Sequence, residues 1–140
     1  MQWNSNSFAG FSCVDPWIGL NPNYSKINVE NDINSDFSIH DYYKKLIKYR
    51  KGNEIVRDGD FKEIGLEDSD IFSYTRTYKG KTLLVLGSFS DKKVCYNMPN
   101  NLQKFKRELV ISNYNGNIEQ NKDASTLYLR PYEALVFYMY

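Results

Sequence analysis

The sequence predicts a mainly β protein of about eight short antiparallel strands, preceded by a long loop and one helix. Three observations support this prediction. After Glu54, apolar and polar residues alternate with a period of two through most of the chain. Turn-forming clusters such as DG, EDSD, MPNN and NYNGN interrupt the alternation at short intervals. Only Ser38 to Gly52 carries a strong helical pattern, so the rest favours a sandwich or a closed barrel.

The first 37 residues are rich in Asn, Ser, Asp and Pro and show no sustained periodicity. They predict a long loop, with a short helical turn around Val29 to Ile33. Long loops in compact domains are uncommon and tend to be functional, or else they have lost the structure that they pack against.

The segment from Ser38 to Gly52 has the start and end signals of a helix. Ser38 and Asp41 are three residues apart and form a variant of the capping box, while Lys51 and Gly52 provide a cationic end and a C-cap. The apolar stripe of this helix must pack against something large; it consists of Ile39, Tyr42, Tyr43, Leu46 and Ile47.

The strand predictions follow the alternating segments. Ile71 to Tyr78, Lys81 to Phe89 and Lys92 to Met98 are expected to form an antiparallel meander, with a Lys79-Gly80 turn between the first two. Five further strands are predicted at Glu54 to Arg57, Asp60 to Leu66, Glu108 to Tyr114, Thr126 to Leu129 and Glu133 to Met139.

Composition excludes several classes of protein. The chain has 140 residues, of which 41% are hydrophobic, and this is enough to bury one core. A net charge of +1 without a basic stripe argues against nucleic acid as a partner. No apolar run approaches the ~18 residues that span a bilayer, and no secretion leader is visible. We therefore expect a soluble, cytoplasmic protein with no membrane partner.

Few residues suggest chemistry. The two cysteines, Cys13 and Cys95, are far apart and are expected to be ordinary buried or half-buried thiols, and His40 is expected to be structural or solvated. Asp58, Gly59 and Asp60 lack the further ligands of a calcium loop, so a turn is expected there. A solvated turn is also expected at Glu67, Asp68 and Asp70. The sequence predicts no catalytic constellation, no metal site and no cofactor.

Tyrosine is abundant, with 12 residues in the chain. A tyrosine-rich sandwich could be a carbohydrate-binding module that stacks sugar rings on exposed side chains. The favoured alternative is that the tyrosines in or beside predicted strands fill the strand faces of the core; these are Tyr74, Tyr78, Tyr128, Tyr132 and Tyr138.

Several ordered motifs resemble the α-glucosidases of glycoside hydrolase family 13, and most closely the oligo-1,6-glucosidase group. That group has a loop pattern MQWD…AGF…PWI…VNPNY…INV, then YYKKLI, IFAYTRTY, LLVIANFS and LRPYEA. The corresponding segments here are Met1 to Asn4, Ala9 to Phe11, Pro16 to Ile18, Asn21 to Tyr24, Ile27 to Val29, Tyr42 to Ile47, Ile71 to Tyr78, Leu83 to Ser90 and Leu129 to Ala134.

The resemblance covers essentially the whole chain and implies an architecture. Residues 1–52 would be the last loop and last helix of a (β/α)8 barrel, and residues 53–140 would be the C-terminal, Greek-key-like antiparallel β-sandwich. Gln2, Trp3 and Asn4 would belong to a loop at the substrate cleft, where Asn4 replaces the aspartate of the family. The catalytic carboxylates of the family lie on barrel strands upstream of every matched segment.

The expected function is therefore that of a non-catalytic C-terminal fragment of an α-glucosidase that acts on short gluco-oligosaccharides. The fragment would come from a truncated gene or from separate expression of this part. Its main partner would be the missing catalytic barrel. A self-standing carbohydrate-binding β-sandwich module is the alternative. Without the barrel, the stripe of Tyr42, Tyr43, Leu46 and Ile47 could also drive self-association.

Overall fold

The computed structural model describes residues 1–122 and 125–140. These residues form two compact units, one of residues 1–49 and one of residues 50–140.

The first unit consists of short turns and helices. Two 3-10 turns, Ser7–Gly10 and Pro22–Ser25, precede helix α1 at Val29–Ile33, and helix α2 at Ile39–Gly52 begins in this unit. The short helical turn predicted at Val29 to Ile33 is confirmed. The side chain of Asn28 begins α1, because its Oδ1 accepts a hydrogen bond from the Asn31 N–H at 2.8 Å.

The start of α2 is stabilised by Ser38, which directly precedes the helix, and by Asp32, which lies in α1. The Ser38 Oγ accepts from the Asp41 N–H at 3.1 Å, which confirms one half of the predicted capping box. Asp32 supplies the rest, since its carboxylate accepts from the Ile39 N–H at 2.9 Å, the His40 N–H at 3.1 Å and the Ser38 hydroxyl at 2.9 Å. The N–H groups of His40 and Ile39 lower the pKa of Asp32 below 3.8.

The second unit adds two short helices, α3 at Glu54–Asp58 and α4 at Asn100–Gln103. The strand predicted at Glu54 to Arg57 is wrong, because this segment is α3. The physical reason is Asn53, whose Oδ1 accepts from the N–H groups of Ile55 at 2.9 Å and Val56 at 3.4 Å and so nucleates a helical turn.

Within the described residues, eight strands form two antiparallel sheets with the orders β1-β2-β3-β8-β5 and β4-β7-β6. Seven of the eight predicted strands are present with small changes of boundary, and β6 was not predicted. The strands are β1 Asp60–Ile64, β2 Ile71–Tyr78, β3 Lys81–Ser88, β4 Val94–Asn97, β5 Arg107–Ser112, β6 Glu119–Gln120, β7 Thr126–Leu129 and β8 Ala134–Met139.

The predicted meander is correct for β2 and β3 but wrong for β4. β2 pairs with β3 from Ile71 opposite Ser88 to Tyr78 opposite Lys81, across the expected two-residue turn. β4 instead leaves this sheet and pairs with β7, so that Tyr96 lies opposite Leu127. The crossing allows the buried faces of the two sheets to share one core, as in a β-sandwich.

The core lies between alternate residues of the central strands. β8 shows this alternation clearly, with Leu135, Phe137 and Met139 buried and the residues between them half-buried. The remaining members of the buried cluster are Ile71, Leu84, Leu86, Tyr96, Met98, Leu102, Leu127 and Leu129. Aliphatic side chains therefore make most of the core, which matches the predicted fold class.

The expected burial of the tyrosines and cysteines is wrong. Tyr74, Tyr78, Tyr128 and Tyr138 are half-buried and Tyr132 is 60% exposed. Tyr132 lies in the turn between β7 and β8, and the other four lie on the outer faces of their strands, while leucines take the inner ones. Cys95 is exposed because it alternates with buried Tyr96 on β4, and Cys13 is exposed in the N-terminal loop.

An ion pair with a buried carboxylate lies within the β7–β8 connection, and its arginine also contacts the β5–β6 connection. Glu133 is 1% exposed, and its carboxylate accepts from the Arg130 N–H at 2.8 Å and from the Arg130 guanidinium. Arg130 also donates to the Asn115 carbonyl at 3.2 Å and lies 4.3 Å from the centre of the Tyr114 ring. The hydrogen bonds to Glu133 raise the pKa of Arg130.

Candidate functional site

The candidate site predicted from sequence is the loop that begins with Gln2, Trp3 and Asn4. The backbone of this segment is paired with the first turn of α1. The N–H of Val29 donates to the Gln2 carbonyl at 2.9 Å, and the N–H of Glu30 donates to the Trp3 carbonyl at 3.0 Å. These N–H groups have no partner inside the helix, so the loop and α1 stabilise each other.

The side chain of Gln2 holds the NPNY segment of the loop. Its Nε2 donates to Asn23 Oδ1 at 3.1 Å and to the Ile27 carbonyl. Asn23 in turn donates its N–H to Asn21 Oδ1 at 3.2 Å. Gln2 is therefore a positioning residue in this structure, and both of its amide protons serve the loop.

Asn4 closes a tight corner of the loop. The N–H groups of Trp3 and Asn4 both donate to the Ala9 carbonyl, at 2.8 and 3.3 Å, and Asn4 Oδ1 accepts from the Asn6 N–H at 3.0 Å. The side chain of Asn4 lies over Gly10, where a Cβ atom would be 2.6 Å from its amide nitrogen. Gly10 has φ +63°, so a larger residue there would be both strained and too close.

The same corner stores backbone strain. Phe8 and Ala9 have φ values of 54° and 55°, the left-handed conformation that non-glycine residues rarely adopt. Each such residue costs about 1–2 kcal/mol. Ala9 is completely buried, which shows how tightly the corner packs. Strained backbone of this kind is concentrated at functional sites.

A cavity of about 360 Å³ lies beside this corner, in the size range of small-molecule sites. Its lining includes Ser7, Phe8, Asp15, Leu20 and Tyr24. Asp15 is the only carboxylate in residues 1–28, so this loop cannot by itself supply the two carboxyl groups of a glycosidase.

Large apolar side chains surround the loop. Trp17 is 94% exposed and Trp3 is 48% exposed, and Phe11, Val14 and Ile18 are also exposed. Large apolar side chains exposed in such number favour an interaction site. Helix α2 of the same unit also exposes apolar side chains, because Tyr43 and Ile47 of its stripe are exposed while Tyr42 and Leu46 are half-buried.

The other candidate residues are structural. His40 is exposed and its ring nitrogen lies 3.1 Å from the Asp41 carboxylate. The expected turn near Glu67 is confirmed, because Asp68 Oδ1 accepts from the N–H groups of Asp70 and Ile71 at 2.9 and 3.0 Å. Within residues 1–122 and 125–140, no three His, Cys, Asp or Glu side chains are grouped to hold a metal ion.

Sequence reasoning missed a cavity in the second unit, which is described below, and the capping role of Asp32. A signal for Asp32 exists in the segment NDINSDFS, where an acidic residue lies six positions before the serine cap.

Among the helices of the described residues, none has the length and apolar character needed to cross a membrane.

Two family models and several relatives match this chain. Residues 1–59 match the family model of the α-amylase catalytic domain, and residues 71–136 match that of the α-amylase SusG C-terminal domain. The oligo-1,6-glucosidase of Bacillus cereus is 42% identical over 98% of this chain and 24% of its own length. The chain belongs to glycoside hydrolase family 13. The resemblance to the oligo-1,6-glucosidase group is therefore confirmed.

Other members of family 13 show the same relationship. The oligo-1,6-glucosidase of Parageobacillus thermoglucosidasius is 38% identical over 98% of the chain and 24% of its own length. The crystal structure of trehalose-6-phosphate hydrolase from Bacillus licheniformis matches 99% of this chain with a TM-score of 0.88 and 30% identity, over 25% of its own chain. The chain thus spans about a quarter of the length of the curated relatives that it matches.

Proposed function

We propose that the chain is the C-terminal, non-catalytic part of a retaining α-glucosidase, whose whole form hydrolyses the α-glucosidic bonds of short gluco-oligosaccharides. The order of the two family matches supports this proposal, since a catalytic-domain match precedes a C-terminal-domain match. The single carboxylate of the loop supports the non-catalytic part of the proposal. Retaining hydrolysis needs two carboxyl groups about 5 Å apart, and Asp15 is alone in residues 1–28.

In the whole enzyme, residues 1–52 would complete a (β/α)8 barrel and residues 53–140 would be the sandwich that covers its flank. The exposed apolar face of α2 supports a covering partner, since Ile39 is 67% exposed and Tyr43 is 61% exposed. The outer face of the five-stranded sheet is also aromatic. Phe61 is 53% exposed, and its ring centre lies 5.0 Å from that of Tyr74. A catalytic barrel in the same chain would bury both surfaces.

Gln2, Trp3 and Asn4 would face the substrate entrance of that barrel. In (β/α)8 enzymes, loops that follow the strands form the catalytic face. The strained corner and the half-exposed Trp3 support this placement. Asn4 would supply a neutral amide where the family has a carboxylate, so the entrance would carry one negative charge less.

A chimera tests the proposal. In the chimera, this chain replaces the C-terminal quarter of the Bacillus cereus oligo-1,6-glucosidase. The control is the same glucosidase with that quarter removed and nothing put in its place. Hydrolysis of a chromogenic α-glucoside is measured for both. We expect activity only in the chimera, and none in the isolated chain. A folded chimera that is no more active than the shortened relative would contradict the proposal, as would hydrolysis by the isolated chain.

The chimera also tests the entrance. Replacing Asn4 by aspartate restores the charge of the family, and Oδ1 of the new side chain can still accept from the Asn6 N–H. We expect KM to change while thermal stability stays the same. An unchanged KM would place Asn4 outside the entrance. Ser12→Asp, elsewhere in the same loop, is the control for a general effect of negative charge.

Without a barrel, the stripe of Tyr42, Tyr43, Leu46 and Ile47 would drive self-association of the isolated chain. Light scattering should show a mass that rises with concentration, and Ile47→Lys should suppress the rise, whereas Lys48→Gln should not. A monomer at all concentrations would contradict this.

We also propose a cytoplasmic location, which the two exposed free thiols of Cys13 and Cys95 support, because such thiols persist in reducing compartments.

A further inference from the structure

The second unit contains a cavity of about 810 Å³ at the open edge of the sandwich, here called the edge cleft. It lies where β5, the edge strand of the larger sheet, and β6, the edge strand of the smaller sheet, approach each other. Its volume is within the range of ligand sites. The side chains that define it are Phe105, Arg107, Leu109, Ile118, Gln120 and Tyr140.

The floor of the edge cleft is apolar. At this edge the two sheets leave part of the core uncovered, so core side chains line the cleft. Phe137 of β8 is buried among the core residues, and Ile118 packs against the same core. Leu109 is 37% exposed although it lies on a sheet strand. The register of β5 against β8 shifts between Leu109 and Ile111, and such bulges re-aim side chains at sheet edges. A ligand in the cleft would therefore contact core side chains.

The rim carries planar hydrogen-bonding groups. Arg107 Nη2 donates to Gln120 Oε1 at 2.7 Å, which bridges the two edge strands and leaves the Gln120 amide N–H groups to face a ligand. On the other side, Gln103 Nε2 donates to the Met98 carbonyl at 2.7 Å, so that its Oε1 can accept. Burial lowers the pKa of Arg107, whose guanidinium lies 5.7 Å from the centre of the Phe137 ring.

Two aromatic rings complete the rim. Phe105 is 37% exposed and Tyr140 is 60% exposed, and the Tyr140 ring stacks on Tyr138 with 5.9 Å between the ring centres. The Lys104 ammonium lies 5.4 Å from the centre of the Phe105 ring, and the other face of that ring, like the Tyr140 ring, offers a flat apolar surface beside amide donors and acceptors. A pyranose ring has the matching chemistry, with an apolar face formed by its C–H groups and hydroxyls around its edge.

We propose that the edge cleft binds glucosyl units of a neutral α-gluco-oligosaccharide without hydrolysing them. The choice of glucose rests on the proposed function, whereas the shape and chemistry of the cleft do not. No carboxylate lines the cleft within the described residues, so an ammonium ligand has no counter-charge there. The guanidinium of Arg107 already serves Gln120, and Lys106 also lines the cleft, so an anion is the competing ligand. The amides and rings beside these cations suit a neutral polyol.

The experiment is a titration of the ¹⁵N-labelled chain with isomaltotriose and with maltotriose, followed by NMR. The side-chain amide signals of Gln103, Asn117 and Gln120 report on the edge cleft directly. We expect saturable shifts of these signals with a millimolar Kd. Phe105→Ala should weaken binding by about three- to tenfold, the loss expected for one stacked ring. Phe89→Ala, which removes a ring that is 72% exposed elsewhere on the same unit, should leave Kd unchanged.

Three results would overturn the proposal. These are the absence of saturable amide shifts up to about 50 mM sugar, far above millimolar affinity, equal weakening by the two phenylalanine variants, and saturation by glucose 6-phosphate but not by the neutral sugars. If Phe105→Ala loses the dispersed spectrum of the folded chain, Asn117→Ala takes its place, with the same expected weakening. Failure of the chimera with intact sugar shifts would refute the proposed function alone.

Discussion

Glu133 should be among the most sensitive positions of the β unit. Its carboxylate is 1% exposed and accepts three hydrogen bonds from one residue, the backbone N–H, Nε and Nη2 of Arg130. Glu133 also fixes the chain at this point, since its carbonyl accepts from the Ser88 N–H at 2.8 Å. Glu133→Ala removes every side-chain acceptor at once and leaves the backbone N–H of Arg130 without its partner.

The loss of stability in Glu133→Ala depends on how deeply Glu133 and Arg130 are buried. Breaking a buried ion pair costs about 3–5 kcal/mol when the remaining charge stays buried. The Arg130 side chain is 33% exposed, so its guanidinium can turn towards water, and the loss of stability should lie around or slightly below the lower end of that range. We expect Glu133→Ala to lower the free energy of unfolding by about 2–4 kcal/mol, which lowers Tm by about 10–25 °C for a unit of this size.

The opposite change should be at least as costly. Arg130→Met leaves the carboxylate of Glu133 buried with a single backbone donor, whereas Glu133→Ala leaves a cation that can reach solvent. The double variant Arg130→Met with Glu133→Ala should cost less free energy of unfolding than the sum of the two single variants, because neither charge remains. Urea unfolding followed by circular dichroism measures all four proteins. A loss below about 0.5 kcal/mol for Glu133→Ala, or strict additivity, would refute the reasoning.

Three further predictions concern single groups. Asp32 has a lowered pKa, so its contribution to α2 is complete above pH 3.8 and is lost as pH falls through its folded value; helicity at 222 nm should show an acid transition that Asp32→Asn lacks. The hydroxyl of Tyr96 is buried with no hydrogen bond of normal geometry in the described chain, and Tyr96→Phe should therefore leave urea stability unchanged or raise it by about 1 kcal/mol; a loss above that would reveal a hidden partner. A Cβ on Gly59 would lie 2.3 Å from the Ile55 carbonyl oxygen, so Gly59→Ala should destabilise the chain by about 1–3 kcal/mol in thermal unfolding, and a neutral result would contradict the close approach.

Local signals predicted most of the secondary structure correctly. The strands β2 and β7 have the predicted boundaries because alternation and turn residues act within a few residues of each other. The error at Glu54 to Asp58 has the same local origin. The residues EIVRD suit a strand by composition, but the side chain of Asn53 provides two acceptor contacts that favour a helical turn.

Pairing between strands was harder to predict. The separation of β4 from β3 depends on where Tyr96 and Met98 find apolar neighbours, and those neighbours come from β7 and β8, more than 25 residues away in the chain. Period-two alternation says which residues share a face, but not which sheet the strand joins. For the same reason it could not show that leucines fill most of the core and that Tyr96 is the tyrosine in the buried cluster of the described residues.

The candidate site, too, was predictable from sequence only in part. Motif resemblance located Gln2, Trp3 and Asn4, but it did not reveal that Gln2 serves the NPNY segment or that Phe8 and Ala9 adopt left-handed conformations. No sequence motif indicated the edge cleft. It arises because β5 and β6 are the outer strands of different sheets, and that juxtaposition exists only after both sheets have formed.

Helix α2 shows why a sequence pattern can be correct and still lack its counterpart. Its stripe has the spacing of a core-facing helix, yet Ile39, Tyr43 and Ile47 are each more than half exposed. The apolar stripe of an amphipathic helix is the surface that the helix buries in its functional assembly. In α2, part of this stripe is not covered by any of the described residues. Relatives four times as long have the chain length to cover it. The stability of α2 in the isolated chain should therefore depend on its end, where Asp32 and Ser38 satisfy the first N–H groups, more than on its face.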